Sequence, residues 1–167
     1  MLMLLATVGE IHAKPNNRAQ IHYLNGIKLL QQKGDVASRH VKANIWFTMA
    51  AADGHSGALF HLGVSYQTGR GIEKNLQLAA HFYRLAAARY HVAAKYNLAV
   101  IHAHGKGAER DLEKAFGLIL IAKQRSGAHP KIKQRLDAFQ ASIEDILSDS
   151  QIHLARWQVE QLFGTGL

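Results

Sequence analysis

Residues 58–93 and 94–129 are one pattern written twice, 36 residues apart. Ten positions are identical, among them Ala58/Ala94, Leu62/Leu98, Gly69/Gly105, Gly71/Gly107, Leu76/Leu112, Ala79/Ala115 and Arg89/Arg125. Residues 22–57 are a weaker copy, with Ala43, Trp46, Phe47 and Ala50 where the next copy has Ala79, Phe82, Tyr83 and Ala86. A period of this length constrains the fold more than any total does. A unit so short cannot bury its apolar face alone and must stack on its neighbours, as solenoids do.

Each copy carries two helical patterns. In the middle copy Ala58, Leu62, Val64 and Tyr66 belong to a first helix, and Ala79, Phe82, Tyr83, Ala86 and Ala87 recur at three- and four-residue spacing in a second. The alanines let helices approach closely, and Phe82 and Tyr83 fill the space between them. Between the two helices stand "TGRGIEKN", from Thr68, and "HGKGAERD", from His104. Glycine loops that open helices can cradle phosphate, but no strand precedes these and no Lys-Ser or Lys-Thr follows. They read as turns: Gly69 closes the first helix in a left-handed conformation, Gly71 adds a second permissive position, and Asn75 and Asp111 cap the second helix.

The residues resemble the Sel-one-like repeat family, relatives of tetratricopeptide repeats. "ALFHLGVSYQTGRGIEKNLQLAAHFYRLAAARYHVAA" fits its pattern nearly throughout, and "AAADGHSGA" supplies the ending of the preceding copy. The third copy departs at His102, in place of tyrosine, and at Ile119, in the aromatic position; the first has "KGDVASR" instead of the glycine turn. The resemblance implies an all-α, right-handed superhelical α-solenoid of antiparallel helix pairs. Repeats then occupy about 22–57, 58–93 and 94–129, within a unit spanning 18–129. Residues 18–33 form the opening helix, with Ile21, Leu24, Ile27, Leu29 and Leu30. Residues 130–167 form helical caps: the first, with Ile132, Leu136, Phe139, Ile143, Ile146 and Leu147 on one face, stacks on the third repeat. The second, with Ile152, Leu154, Ala155, Trp157, Val159 and Leu162, finishes the end.

Segment 1–17 admits two readings. "MLMLLATVG" followed by "EIHA" has the apolar run and small-residue exit of an export signal, with cleavage near Ala13, but lacks a basic start. That reading places the protein in the periplasm or outside the cell; a packed first helix of a cytoplasmic chain fits equally. No run approaches the roughly 18 apolar residues of a membrane span.

The sequence offers no chemistry to set against this scaffold. Cysteine is absent, which removes thiolate metal sites and cysteine nucleophiles. Eleven histidines invite a metal, yet His102 and His104 are two apart and do not share a helix face. His55 and His91 occupy the same repeat position and read as structural. No nucleophile elbow or paired acid–base motif appears, so no catalytic residue, metal or cofactor is expected. The net charge of +8 favours an acidic partner. Its densest stretch, Lys123 to Arg135, lacks the interleaved aromatics that stack single-stranded bases, so no specific nucleic-acid partner is expected.

By resemblance, the first helices line a concave groove that binds a protein partner. The groove positions are Leu24, Phe60 and Tyr96, beside Lys28, Val64 and Val100, with Gln67 and Ala103 a turn further. The function implied is a non-catalytic bacterial adaptor, regulator or immunity protein. A binder or modifier of cell-wall-derived small molecules and a basic nucleic-acid or anionic-membrane binder are the alternatives.

Overall fold

The repeat sets the element order. The computed structural model describes residues 17–124 and 130–163, with side chains through Gln161. The export reading of the N-terminal segment, Arg125 and the side chain of Leu162 therefore lie outside the described residues. Among those described, eight helices and no strand are present. They are α1 (Asn17–Gln31), α2 (Val36–Ala52), α3 (Ser56–Thr68), α4 (Leu76–Ala88), α5 (Val92–His104), α6 (Leu112–Gln124), α7 (Pro130–Glu144) and α8 (Asp149–Phe163). Helices pack chiefly as sequence neighbours, α1 with α2, α3 with α4 and α5 with α6, and each pair stacks on the next. This is an all-α solenoid.

The helix boundaries have local causes. The Asn75 side chain accepts from the Leu78 amide at 2.9 Å, and the Asp111 side chain from the Lys114 amide at 2.8 Å. His55 and His91 cap α3 and α5, each accepting through Nδ1 from the amide three residues on, at 3.3 and 3.2 Å. Each such bond satisfies an amide that the helix leaves unpaired. Gly69 and Gly105 end α3 and α5 with φ of 73° and 67°.

The second glycine of each turn has a tertiary reason. A Cβ on Gly71 would lie 2.4 Å from the His40 carbonyl carbon on α2, and one on Gly107 would lie 2.3 Å from the Leu76 carbonyl oxygen on α4. Each turn is pressed against the second helix of the previous repeat, and only a residue without a side chain fits there. The same logic operates inside a repeat: a Cβ on Gly63 would meet the Tyr83 ring at 2.6 Å.

The core runs along the stack rather than around a centre. Phe47, Tyr83 and Phe116 are the large buried rings of successive second helices, surrounded by buried alanines such as Ala43, Ala79 and Ala115. A buried polar link crosses one junction, where Asn44 on α2 donates to the Arg70 carbonyl and accepts from Ser65 Oγ at 2.7 Å.

At the C-terminal end, helix α7 packs on α5 and α6, and α8 turns back onto α6. Leu136, Ile143, Leu147, Ala155 and Val159 are buried with Ala115, Phe116 and Ile119 of α6. Ile146 was expected on the buried face, but α7 ends at Glu144 and Ile146 points to solvent. Leu154 and Trp157 are also exposed, because one face of α8 suffices to meet α6.

Candidate functional site

The eight positions expected to line the groove fall into three environments. Leu24 and Lys28 are exposed on α1, which has no described helix before it. Phe60 and Tyr96 are half-buried, and their rings are engaged by neighbours. Phe60 stacks on the His91 ring at 4.6 Å, inside the cluster that holds Tyr83. Tyr96 meets Phe139 of α7 edge-on at 5.6 Å, with the Arg135 guanidinium 4.7 Å above its ring. Stacking and cation–π contacts of this kind contribute about 0.5–1.5 kcal/mol each. Val64 packs against the same cluster as Phe60. Ala103 is half-buried, and its carbonyl accepts from Arg110 Nε at 3.2 Å.

Gln67 and Val100 meet in one place. They line a cleft of about 350 Å³ between the second and third repeats, together with Lys74, Leu76, Ile101, His104 and Lys106. Gln67 is held there by Tyr83, whose hydroxyl donates to its Oε1 at 2.6 Å. His104 is fixed by a 2.8 Å hydrogen bond between Nδ1 and the Val100 carbonyl. Lys74, His104 and Lys106 are exposed at the rim. The cleft therefore joins an apolar floor to a cationic edge, a combination that suits a carboxylate-bearing segment with an apolar flank. Lys74 and Lys106 were not among the expected groove residues. They stand at different places in the two glycine turns, where Lys74 aligns with Arg110 and Lys106 with Arg70, and the two basic positions that each turn carries would have been the signal to find them.

A second cluster is made of imidazoles. His55 stacks on Tyr23 at 4.2 Å, and its Nε2 lies 3.0 Å from Gln20 Oε1. His61 stacks on Phe47 at 4.7 Å, with Tyr23 and Phe60 at its edges. Burial pushes His55 and His91 below the ordinary histidine range. It pushes His61 down to about 4, and the charges that His91 and His55 would carry add to the effect. These rings are neutral packing groups at neutral pH. Among the described residues no group of three or more His, Asp or Glu is placed to hold a metal ion. His102, which stands where the repeat has a tyrosine, is buried, with Nδ1 3.1 Å from the Glu109 carbonyl oxygen.

The repeat geometry matches a known family. A model of the Sel1 repeat matches residues 19–55, 56–91 and 92–125. The chain belongs to the Sel1 repeat family. Proteins of this family are generally interaction scaffolds. Among solved structures, this family member is similar to c5321, described as a protective antigen present in uropathogenic Escherichia coli strains displaying an SLR fold. The TM-score is 0.77 with 28% identity, over 87% of this chain and 30% of that one. It is also similar to a Sel1 repeat protein from Oxalobacter formigenes, with a TM-score of 0.58 and 28% identity over 64% of this chain and 43% of that one. The chain thus spans less than half the length of either relative. No curated protein matches it.

Proposed function

We propose that this Sel1 repeat protein is a non-catalytic scaffold that captures an acidic stretch of a protein partner on its first-helix face. The observation that carries this reading is the cleft between the second and third repeats. Lys74, His104 and Lys106 ring the apolar Val100 and Leu76 there, on a chain of net charge +8. Exposed Leu24 and Lys28 extend the same apolar-plus-cationic character along α1. Phe60 and Tyr96 support the face from beneath, since their rings already pack on His91 and Phe139. An adaptor, a regulator and an immunity protein would all use such a face, and the partner's identity separates them.

The test is affinity capture with the full chain in an extract of its own organism, followed by titration of the retained partner. Reversing both rim charges, Lys74→Glu with Lys106→Glu, is expected to weaken binding at least tenfold with the thermal midpoint unchanged. Binding by the wild-type chain should fall as salt rises, because exposed charges are screened. A partner held equally well by the double variant would sink the cleft reading.

Export belongs to the same proposal. The apolar run 1–8 and Ala13 support a periplasmic mature chain. The intact mass of the chain recovered from native cells is expected to lack about the first 13 residues. Recovery of the unprocessed chain from the cytosol alone would reverse that placement.

A further inference from the structure

Apolar side chains left in solvent are not spread over this solenoid. Eleven large ones are exposed among the described residues. Six belong to α1 and α2, and three (Ile146, Leu154 and Trp157) to α8 and the turn before it. Only Leu78 and Tyr90 lie between. Isolated surface leucines need no explanation, but terminal repeats ordinarily present polar outer faces so that stacks do not continue. The helices at both ends of the described residues do the opposite.

The two ends also differ in charge. Residues 17–53 carry Arg18, Lys28, Lys33, Arg39 and Lys42 against Asp35 and Asp53. Residues 144–163 carry Glu144, Asp145, Asp149 and Glu160 against Arg156 alone. The net positive charge of the chain hides a basic N-terminal pair and an acidic C-terminal segment, within which Glu144 pairs with Arg156 and α8 itself carries Asp149 and Glu160.

The fold itself shows what the apolar stripe on α2 can accept. Val41, Ile45 and Met49 run along the outer face of α2. Two repeat periods later the same positions are Glu113, Gly117 and Ile121 on α6. On α6 the two ends of this stripe meet α8, with a gap at Gly117 between them: Ile121 packs against the cluster of Ala155 and Val159, and Gln151 Nε2 donates to Glu113 Oε1 at 2.8 Å. The outer stripe of a second helix is therefore used in part as a helix seat on α6 and is bare on α2. The bare seat is the more apolar of the two, and its basic residues Arg39 and Lys42 favour an acidic occupant.

We propose that the occupant is α8 of a second copy of this chain. The outer face of α8, with Leu154 and Trp157 flanked by Asp149 and Glu160, docks on the Val41–Ile45–Met49 stripe of the next molecule. Seat and occupant are different surfaces, so the contact is heterologous and leaves one free end on each copy. The result is head-to-tail association that grows with concentration. The association does not depend on the cleft between the second and third repeats, and failure of either proposal leaves the other standing.

The test measures mass by light scattering or sedimentation over a concentration series of the full chain. Ile45 and Trp157 are 58% and 57% exposed, so charge substitutions there should leave the fold intact, which circular dichroism checks. The wild-type mass is expected to rise beyond two copies as concentration increases to about 100 µM, the range of weak association. Ile45→Glu, which sets an acid against the acidic helix, and Trp157→Lys, which sets a cation against the basic seat, should each hold the chain as a monomer. Mixed together they should form a dimer and nothing larger, because one free seat and one free α8 remain. A wild-type chain that stays monomeric throughout overturns the proposal, whether residues 1–16 or another protein fill the seat. So does a closed dimer that only one of the two variants disrupts, since that outcome marks a symmetric contact through one face.

Discussion

Gly71 and Gly69 have nearly the same positive φ, 68° and 73°, but their surroundings differ. A methyl group on Gly69 would meet nothing closer than 3.4 Å, whereas one on Gly71 would enter the backbone of α2 at His40 and Val41. Gly69→Ala therefore carries only the backbone cost of the left-handed conformation, about 1–2 kcal/mol. Gly71→Ala carries that cost plus the separation of two repeats, about 2 kcal/mol or more. Denaturant midpoints of the two variants check the difference. Equal losses would mean that the turn does not press on α2. The glycine pattern was legible in the sequence as a pair of turns. The distinction between a glycine needed for its φ and one needed for its missing side chain was not, because the obstructing atoms lie thirty residues earlier in the chain.

At the scale of elements, the junction among α1, α2 and α3 is built from aromatic rings and neutral imidazoles. His61, between Phe47 and Tyr23, is its most buried titratable group. Its value falls from 6.5 to about 4, so the unfolded chain takes up the proton first as pH drops. The stability conferred by the neutral ring is complete above about 6.5, the unfolded value, and drains away as pH falls toward about 4. For His61 alone the loss approaches roughly 2 kcal/mol by about pH 5. His55 and His91 shift in the same direction and add to it. That is a sizeable part of the roughly 5–15 kcal/mol typical of a folded domain. The denaturant midpoint should therefore fall on going from pH 7 to pH 5. His61→Asn, which installs the residue found at the matching positions Asn25 and Asn97, should flatten the dependence. An unchanged pH slope in that variant would remove His61 from the account.

At the scale of the whole molecule, charge is divided between the ends. The basic residues near α7 are partly engaged: Lys123 pairs with Asp137 at 2.6 Å, and Arg135 lies over Tyr96. Duplex nucleic acid should therefore bind weakly and without sequence preference. The affinity should drop steeply between about 50 and 200 mM salt, as phosphate contacts dictate. Tight, sequence-selective binding in a mobility-shift titration at physiological salt would contradict this and favour a nucleic-acid role.

The sequence by itself determined the period, the two helices per repeat, the glycine turns and the caps at Asn75 and Asp111. Those signals act over one turn of helix or recur at a fixed spacing, so they can be read without knowing what packs on what. Only the tertiary structure decided that α8 folds back onto α6, leaving Ile146, Leu154 and Trp157 in solvent. The amphipathic pattern of a helix names an apolar face but not the surface that receives it. Of the expected groove, Leu24 and Lys28 are exposed, Phe60 and Tyr96 spend their rings on neighbours, and Gln67 and Val100 join Lys74 and Lys106 in a cleft. Which of these a first-helix position becomes depends on the neighbouring repeat, whose residues lie one full period away. Spacing aligns such residues, but only the stacking of the helices brings them into contact.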